Sequence, residues 1–417
     1  KKMKLILNRY TPNTIQIQDL VKNIQQGYIL IQPSSLKDKF DDLLIKNNFY
    51  KCDILYIDDY VLPEIVRVVR KLSKKYNIES ITTLCEEDMT VAGLLNDYFV
   101  SRNSVSSSNI SFKDKYVMRS YLIDIVKQPY FRLITDIDDI RKFFEKSTVD
   151  TAIVKPRDSA GGAGVKKINR SEVVEEYFEE RWLENYIIEE RVSMSKMLTC
   201  DGYSIGSNIK RIFFHEYEEL VLDSLIDGKP IVVHTHSAYF SNIKFLNMVK
   251  EEVKKILTHL TVTDELTPFH FEFFYDINSE KIVFCEVGKR FGGGKIPTLI
   301  QESFKINILE EYWQLLFSSD SDLISSNLLL PSKISTYYQA PRRDGEVKWV
   351  PNFENIPWIT QFRCFVYKDE ITNAAQSVVE STFYCIFISE TLEEYSKNIR
   401  FVQEKQSKMY LDNIIQQ

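Results

Sequence analysis

The sequence predicts a mixed α/β and α+β protein, with a doubly wound α/β domain first, a middle region built around one hairpin, and a small β-rich appendage last. Three observations carry that reading. Residues 1 to about 110 alternate between short apolar runs and helical periods, the pattern of parallel strands joined by crossover helices. From Pro268 the chain reads PFHFEFFYDINSEKIVFCEVGKRFGGG, two alternating apolar runs around the turn composition Asp276-Ile277-Asn278-Ser279, hence a β-hairpin. After Leu330-Pro331 short strand-like runs are punctuated by Pro341, Pro351 and Pro357, and one helical period follows.

Leu5-Ile6-Leu7 and Asp53 to Ile57 read as strands. Leu62, Ile65, Val66, Val69, Leu72 and Tyr76 recur at helical spacing, with Pro63 suited to a first turn. Ser80 to Leu84 is a strand and Glu86 to Phe99 a helix. No G-x-G-x-x-G occurs here, so a dinucleotide site is not expected. Glu86, just past a strand end, lines a cleft or faces a helix macrodipole, the second being the commoner role. Ser101 to Ser108 reads as a linker, and a helix carrying Lys115 follows. A strand then carries Lys155 at its end, Pro156 stops it, and a new strand resumes at Val165. Between them Asp158 to Gly164 holds Ser159, Gly161, Gly162 and Gly164, three of the chain's 13 glycines within four positions. Such a loop offers open N–H groups to phosphates. It is not a Walker loop, because no Gly-Lys-Ser/Thr ends it.

Ser171 to Glu184 reads as a charged helix, and Asn185 to Ile188 as a strand running into Glu189-Glu190-Arg191-Val192. Ile205 to Glu219 and Ile231 to Phe240 are further strands. His234 and His236 put two imidazoles on one strand face, but no third ligand has a fitting spacing. Phe245 to Leu260 and Ile300 to Phe317 are amphipathic helices. The appendage comprises strands at Ile334–Tyr338, Val347–Val350, Phe362–Tyr367 and Ala374–Ile388, then a helix from Thr391 to about Asn413. The expected divisions are 1–108, 109–184, 185–330 and 331–417.

The hairpin carries the chemistry. Alternation puts His270, Glu272 and Phe274 on one face of the first strand, and Phe284, Glu286 and Gly288 on one face of the second. Half-buried carboxylates are costly without a cation. Glu272 and Glu286 therefore either pair with Lys or Arg across a wet face, or hold a magnesium ion beside a phosphate chain. Arg290 and Gly292 to Gly294 follow at once, a guanidinium and bare N–H groups suited to a developing anion.

Composition narrows the class. The chain has 417 residues, 44% hydrophobic and 27% charged, which suits two or three globular domains. No apolar run approaches the roughly 20 residues of a membrane span, and the apolar run near Lys1 is too short for a signal peptide. Six cysteines without a Cys-x-x-Cys fit a reducing cytoplasm better than a zinc site or a disulfide framework. A net charge of -6 with no dense basic block argues against a nucleic-acid partner.

These residues, in this order and spacing, resemble the ATP-grasp superfamily, specifically its carboxylate–amine ligases. The resemblance implies a fold in which two antiparallel sheets sandwich ATP. It implies that Lys115 and Lys155 bind phosphates and that Asp158 to Gly164, with Ser159, Gly161 and Gly162, forms the flap. Glu189, Glu190 and Val192 match the adenine hinge, and Glu272 and Glu286 the ligands of one or two magnesium ions, with manganese as a substitute. Arg290, Lys155, Gly293 and Gly294 are the implied catalytic groups. Two departures stand out: Lys196-Met197 replaces the ribose-binding acid, and Gly288 replaces an Asn that commonly ligates the metal. The implied activity activates an amino acid or related carboxylate as an acyl phosphate for attack by an amine, releasing ADP and phosphate. Glu86, Arg211 and His270 are substrate candidates. The alternatives are transfer to a carrier-protein thiol and a non-catalytic ATP-binding relative. The implied partners are a small-molecule carboxylate and an amine, without nucleic acid or membrane. A dimer is common among related ligases.

Overall fold

The computed structural model describes residues 1–410 except 24–26, 47–52, 102, 160, 161, 163, 173–184, 263, 319–323 and 325. Cys52, Gly161 and most of the helix expected over Ser171 to Glu184 lie outside the described residues.

The N-terminal sheet is parallel and four-stranded, in the order β3-β2-β1-β4. Its strands are β1 (Lys2–Leu7), β2 (Tyr28–Pro33), β3 (Ile54–Ile57) and β4 (Asn77–Thr83). Helices cover both faces, as a parallel sheet requires. Ile65 and Val69 of helix Leu62–Lys75 and Ala92 and Leu95 of helix Met89–Phe99 pack on one side. Leu20 and Phe40 pack on the other, joined by Tyr312 and Trp313 of helix Ile308–Phe317.

The expected linker is partly helical. Val105–Lys113 is a helix in which Ser108 and Asn109 are buried, donating to the Leu260 and Met89 carbonyls at 2.6 and 2.8 Å. Serines that find tertiary acceptors need not lie in a flexible segment. Asp114 accepts from the Tyr116 and Val117 N–H groups and starts helix Lys115–Tyr121, which puts Lys115 at the first position.

Two antiparallel sheets follow. The first has four strands in the order β5-β8-β6-β7, made of β5 (Phe131–Leu133), β6 (Thr151–Pro156), β7 (Lys166–Asn169) and β8 (Tyr186–Glu190). The second has eight, in the order β13-β12-β9-β10-β11-β14-β18-β16. It contains β9 (Lys196–Ile205), β10 (Asn208–Tyr217), β11 (Ile231–Thr235), β12 (Leu266–Asp276) and β13 (Lys281–Gly288). From the C-terminal region come β14 (Ile334–Pro341), β16 (Ile359–Cys364) and β18 (Ser381–Ser389), while β15 (Gly345–Glu346) pairs with β17 (Ile371–Thr372). The β-rich C-terminal region thus extends the large sheet, with helix Leu392–Ser407 packed against it. Helix Ile243–Leu260 buries Phe245, Val249 and Val253 against Phe271, Phe273 and Phe284 on one face of this sheet.

The sequence reading of Ile300 to Phe317 as one helix is corrected to two, Ile296–Phe304 and Ile308–Phe317, because Lys305 takes a left-handed conformation with φ +60°. Ile205 to Glu219 likewise divides between β9 and β10, which pair as a hairpin. Among the described residues no helix is long and apolar enough to cross a membrane.

Candidate active site

The two antiparallel sheets enclose a cavity of about 280 Å³. The small sheet and its loop contribute Ile153, Lys155, Ser159, Gly162 and Glu189, and Lys115 joins them from its helix start. The large sheet contributes His270, Glu272, Phe274, Cys285 and Glu286, and the loop after it Arg290, Gly293 and Gly294. Eleven of the residues singled out from sequence therefore meet in one place, from segments more than a hundred residues apart.

The hairpin departs from simple alternation. Glu272 is the direct register partner of Glu286, but Phe273 pairs with Phe284, so Cys285 is an extra residue on β13. That is a β-bulge, which re-aims side chains locally. It turns Phe284 into the core beneath helix Ile243–Leu260 while Cys285 and Glu286 both line the cavity. The expectation that Phe284 and Glu286 share a face is corrected accordingly. The bulge leaves two half-buried carboxylates side by side, with Lys115 Nζ 3.8 Å from Glu286 Oε2. Burial works against ionisation of Glu286, but Lys115, Lys155, Arg119 and Arg290 outweigh it and hold its pKa well below the usual range. Two adjacent oxygen donors opening on one cavity fit a hard divalent cation, so the residues present suit magnesium.

Lys155 is buried and sits 2.6 Å from Glu189 Oε1. Arg119 Nη2 and Nε donate to Glu189 Oε2 at 2.9 and 3.1 Å. Glu189 is thus clamped between two cations; burial raises its pKa, and Arg119 with Lys155 brings it below the ordinary value. Its side chain is committed to holding Lys155 in place. Glu190 turns away and accepts from Ser147 Oγ at 2.7 Å, and Val192 is half-buried; neither is among the cavity-lining residues. Lys115 Nζ donates to the Ser159 carbonyl, tying the helix start to the loop. Gly162 has φ +73°, where an L-residue is strained.

His270 is the register partner of Asp201 and is held by it at 2.8 Å through Nδ1, with Nε2 3.5 Å from Glu272 Oε1. Asp201 is fully buried and also accepts from Gly292 N–H at 2.9 Å and Thr199 Oγ1 at 2.8 Å. Burial disfavours the imidazolium of His270, but Asp201 more than compensates and raises its pKa to about 9. Gly292 is required here, because a Cβ would lie 2.4 Å from Asp201 Oδ1.

Arg290 Nε donates to Glu86 Oε2 at 2.7 Å, and Lys113 lies 3.3 Å from Glu86 Oε1. Glu86 borders a smaller cavity with Lys115, His270, Glu286 and Arg290, so it reaches the site's edge from the N-terminal domain. Gly288 lies against Arg290, with a built Cβ 3.4 Å from its Cγ and Nε. Arg211 is elsewhere: it pairs with Glu311 through two bonds of 3.0 and 2.9 Å and is not a lining residue.

Sequence reasoning did not single out Arg119, Asp201, Tyr217, Val233 or Tyr337. Arg119 carried a usable signal, lying one helical turn from Lys115, and Asp201 another, as a lone acid in the run Met197-Leu198-Thr199-Cys200. The others look like ordinary strand residues until the sheet order is known.

On the opposite face of the large sheet lies a second polar cleft of about 850 Å³. There His234 Nε2 is 3.1 Å from Glu218 Oε1, which also accepts from the Tyr395 hydroxyl, and Tyr275 donates to Glu216. His236 Nδ1 accepts from the Ala238 N–H at 3.0 Å.

No family model matches the sequence. A search of solved structures finds an L-amino acid ligase from Bacillus licheniformis with a TM-score of 0.73 at 14% identity, covering 97% of this chain and 98% of the other. A carboxyaminoimidazole ribonucleotide synthase from Aspergillus clavatus, complexed with ATP, aligns with a TM-score of 0.66 at 12% identity over 98% and 99%. The chain has the ATP-grasp fold. Among curated proteins, an L-arginine-specific L-amino acid ligase from Bacillus subtilis is 21% identical over 340 residues, 78% of this chain and 79% of that protein.

Proposed function

We propose that this chain is an ATP-dependent carboxylate–amine ligase that activates an amino acid, or a closely related carboxylate, and joins it to an amine. One observation carries the reading: Lys115, Lys155, Glu272, Glu286 and Arg290 converge on a single cavity between two antiparallel sheets. The similarity in fold to solved ligases supports it.

A carboxylate is a poor electrophile, and phosphorylation corrects that. A carboxylate oxygen attacks the γ-phosphorus of ATP, the bond to the ADP oxygen breaks, and an acyl phosphate forms. The amine nitrogen then attacks the carbonyl carbon, phosphate leaves with the electrons of the C–O bond, and the amine gives its proton to solvent. Phosphoryl transfer needs positioning and charge neutralisation more than covalent help. Lys115 and Lys155 would hold the phosphate chain, Lys155 being kept in place by Glu189. Arg290 would hold the transferred group, steered by Glu86. Asp201 fixes the N–H of Gly292 and so the loop whose Gly293 and Gly294 N–H groups would meet the tetrahedral oxyanion. Glu272 and Glu286 would hold magnesium, which when bound supplies Lewis-acid neutralisation of the phosphate oxygens. The loop through Ser159 and Gly162 is suited to cover the phosphates and exclude water.

The test is nucleotide turnover by the purified chain with ATP, magnesium and mixed amino acids, quantifying ADP and AMP separately. The expected result is ADP and phosphate that appear with amino acids and not without them. AMP and pyrophosphate would mean adenylation and overturn the mechanism.

A further inference from the structure

The cavity floor is one row of side chains crossing five adjacent strands. Register places Phe274 beside Met197, Met197 beside Tyr217, Tyr217 beside Val233, and Val233 beside Tyr337. All five line the cavity. At roughly 4.8 Å per strand, three steps put Tyr337 about 14 Å from Met197. The two ends of the row therefore face different groups. At one end, Phe274 shares β12 with Glu272, and Met197 stands at the start of β9, a few residues after Glu189 to Val192. The Tyr337 end adjoins the loop of Gly293 and Gly294, where a Cβ on Gly294 would lie 3.6 Å from the Tyr337 ring.

The far end is apolar. Next to Val233 and Tyr337 in register stand Ile231 and Gln339, and the Gln339 Nε2 is already bonded to the Val378 carbonyl at 2.6 Å; Leu222 and Leu225 line the same cavity from helix Val221–Asp227. Among the described residues, the carboxylates that line the cavity lie elsewhere: Glu189 is held by Lys155 and Arg119, and Glu272 and Glu286 sit side by side on the hairpin. A cationic side chain at the Tyr337 end would lose its hydration, with the hairpin carboxylates of β12 and β13 several strands away. An apolar side chain would instead gain by burial there.

The geometry points to this end of the cavity as the side-chain subsite for the activated carboxylate, selecting a branched aliphatic or aromatic amino acid over a charged one. The inference rests on the ligase reading above. It makes Val233 and Tyr337 specificity-determining residues, with Tyr337 supplied by the C-terminal region.

The test is ADP release by the full chain with ATP, magnesium, L-alanine as common amine, and Leu, Ile, Met, Phe, Asp, Glu, Lys or Arg as variable acid. The expected kcat/KM is at least ~10-fold higher for the four apolar acids, in line with one charged group buried without a partner. Tyr337→Ala should raise KM for the apolar acid several-fold with KM for ATP unchanged, and Val233→Glu should shift preference toward Lys and Arg. A preference for charged acids would overturn the subsite assignment, as would Tyr337→Ala raising both KM values alike. If no acid elicits ADP, the ligase reading fails instead. The subsite is then tested by calorimetric titration of the ADP-bound protein, where saturable binding of Leu or Phe that Tyr337→Ala weakens is expected, and its absence would overturn the proposal.

Discussion

At the residue scale, Arg290 illustrates how a side chain is made specific. Glu86 fixes one edge of its guanidinium, and its stem runs along Gly288. Arg290→Lys keeps the charge but loses the planar fork. The expected result is a fall in kcat of about 10²-fold, the order of losing one transition-state donor, with little change in KM for ATP; equal losses in both would contradict the assigned role. Glu86→Gln should act in the same direction but more weakly, because it loosens Arg290 without removing it. Lys155, Glu272 and Glu286 stand out in the sequence as charged residues flanked by apolar or small ones, an arrangement that costs free energy unless used, and Arg290 by the glycines that follow it; Lys115, beside Asp114, is singled out only by the family resemblance. Asp201 was harder to see. Its importance comes from pairing across β9 and β12 with His270, and register is not written in either strand alone.

At the element scale, the hairpin was legible as two alternating runs and a turn, but the bulge at Cys285 was not. Strict alternation would have sent Phe284 and Glu286 to one face, and it is the extra residue that lets Phe284 enter the core while Glu286 stays beside Glu272. Substituting Gly162, which has positive φ, should impair closure of its loop and raise amino-acid-independent ATP hydrolysis relative to ligation. An unchanged ratio of phosphate released to amide formed would remove the loop's shielding role. The reverse face of the large sheet gives a pH dependence. Burial disfavours ionised Glu216, while His236, His234, the Ser237 N–H and the Tyr275 hydroxyl outweigh it and bring its pKa to about 2. The hydrogen bond from His234 leads the same shift in Glu218, also to about 2, against its burial. Stability from these carboxylates is present above their ordinary pKa of 4.5 and lost as pH falls toward 2. His234 is opposed by burial but raised by Glu218 and Glu216, so its contribution is full below 6.5 and lost as pH rises through its folded value. Melting temperature measured against pH should therefore peak between about 5 and 6.5, and His234→Gln should flatten the alkaline side. A profile unchanged by that substitution would mean the cluster carries no folding-linked protons.

At the scale of the whole molecule, the site is assembled from regions that a reader of sequence sees as separate. The alternating N-terminal pattern gave the parallel sheet, and helical periods gave most of the long helices. The continuity of β14 and β18 with β11 could not be read, since strand partners as far apart in sequence as Val233 and Tyr337 leave no local mark. Docking of the N-terminal domain is equally non-local. Trp313 is buried against that domain and donates to the Ile15 carbonyl at 2.8 Å, and Arg290 reaches Glu86 at 2.7 Å. Trp313→Ala should cost about 3–5 kcal/mol in chemical denaturation, the range for emptying a large aromatic site; a loss below 1 kcal/mol would mean the helix contributes little to holding the N-terminal sheet. The proposed chemistry turns on one bond, between the substrate carboxylate and the γ-phosphorus. It is tested most directly by supplying an amino acid labelled with ¹⁸O in its carboxylate, together with ATP, magnesium and an amine, and analysing the products by mass spectrometry. One labelled oxygen is expected in each phosphate released and none in AMP. Unlabelled phosphate formed alongside the amide, or label recovered in AMP, would contradict it.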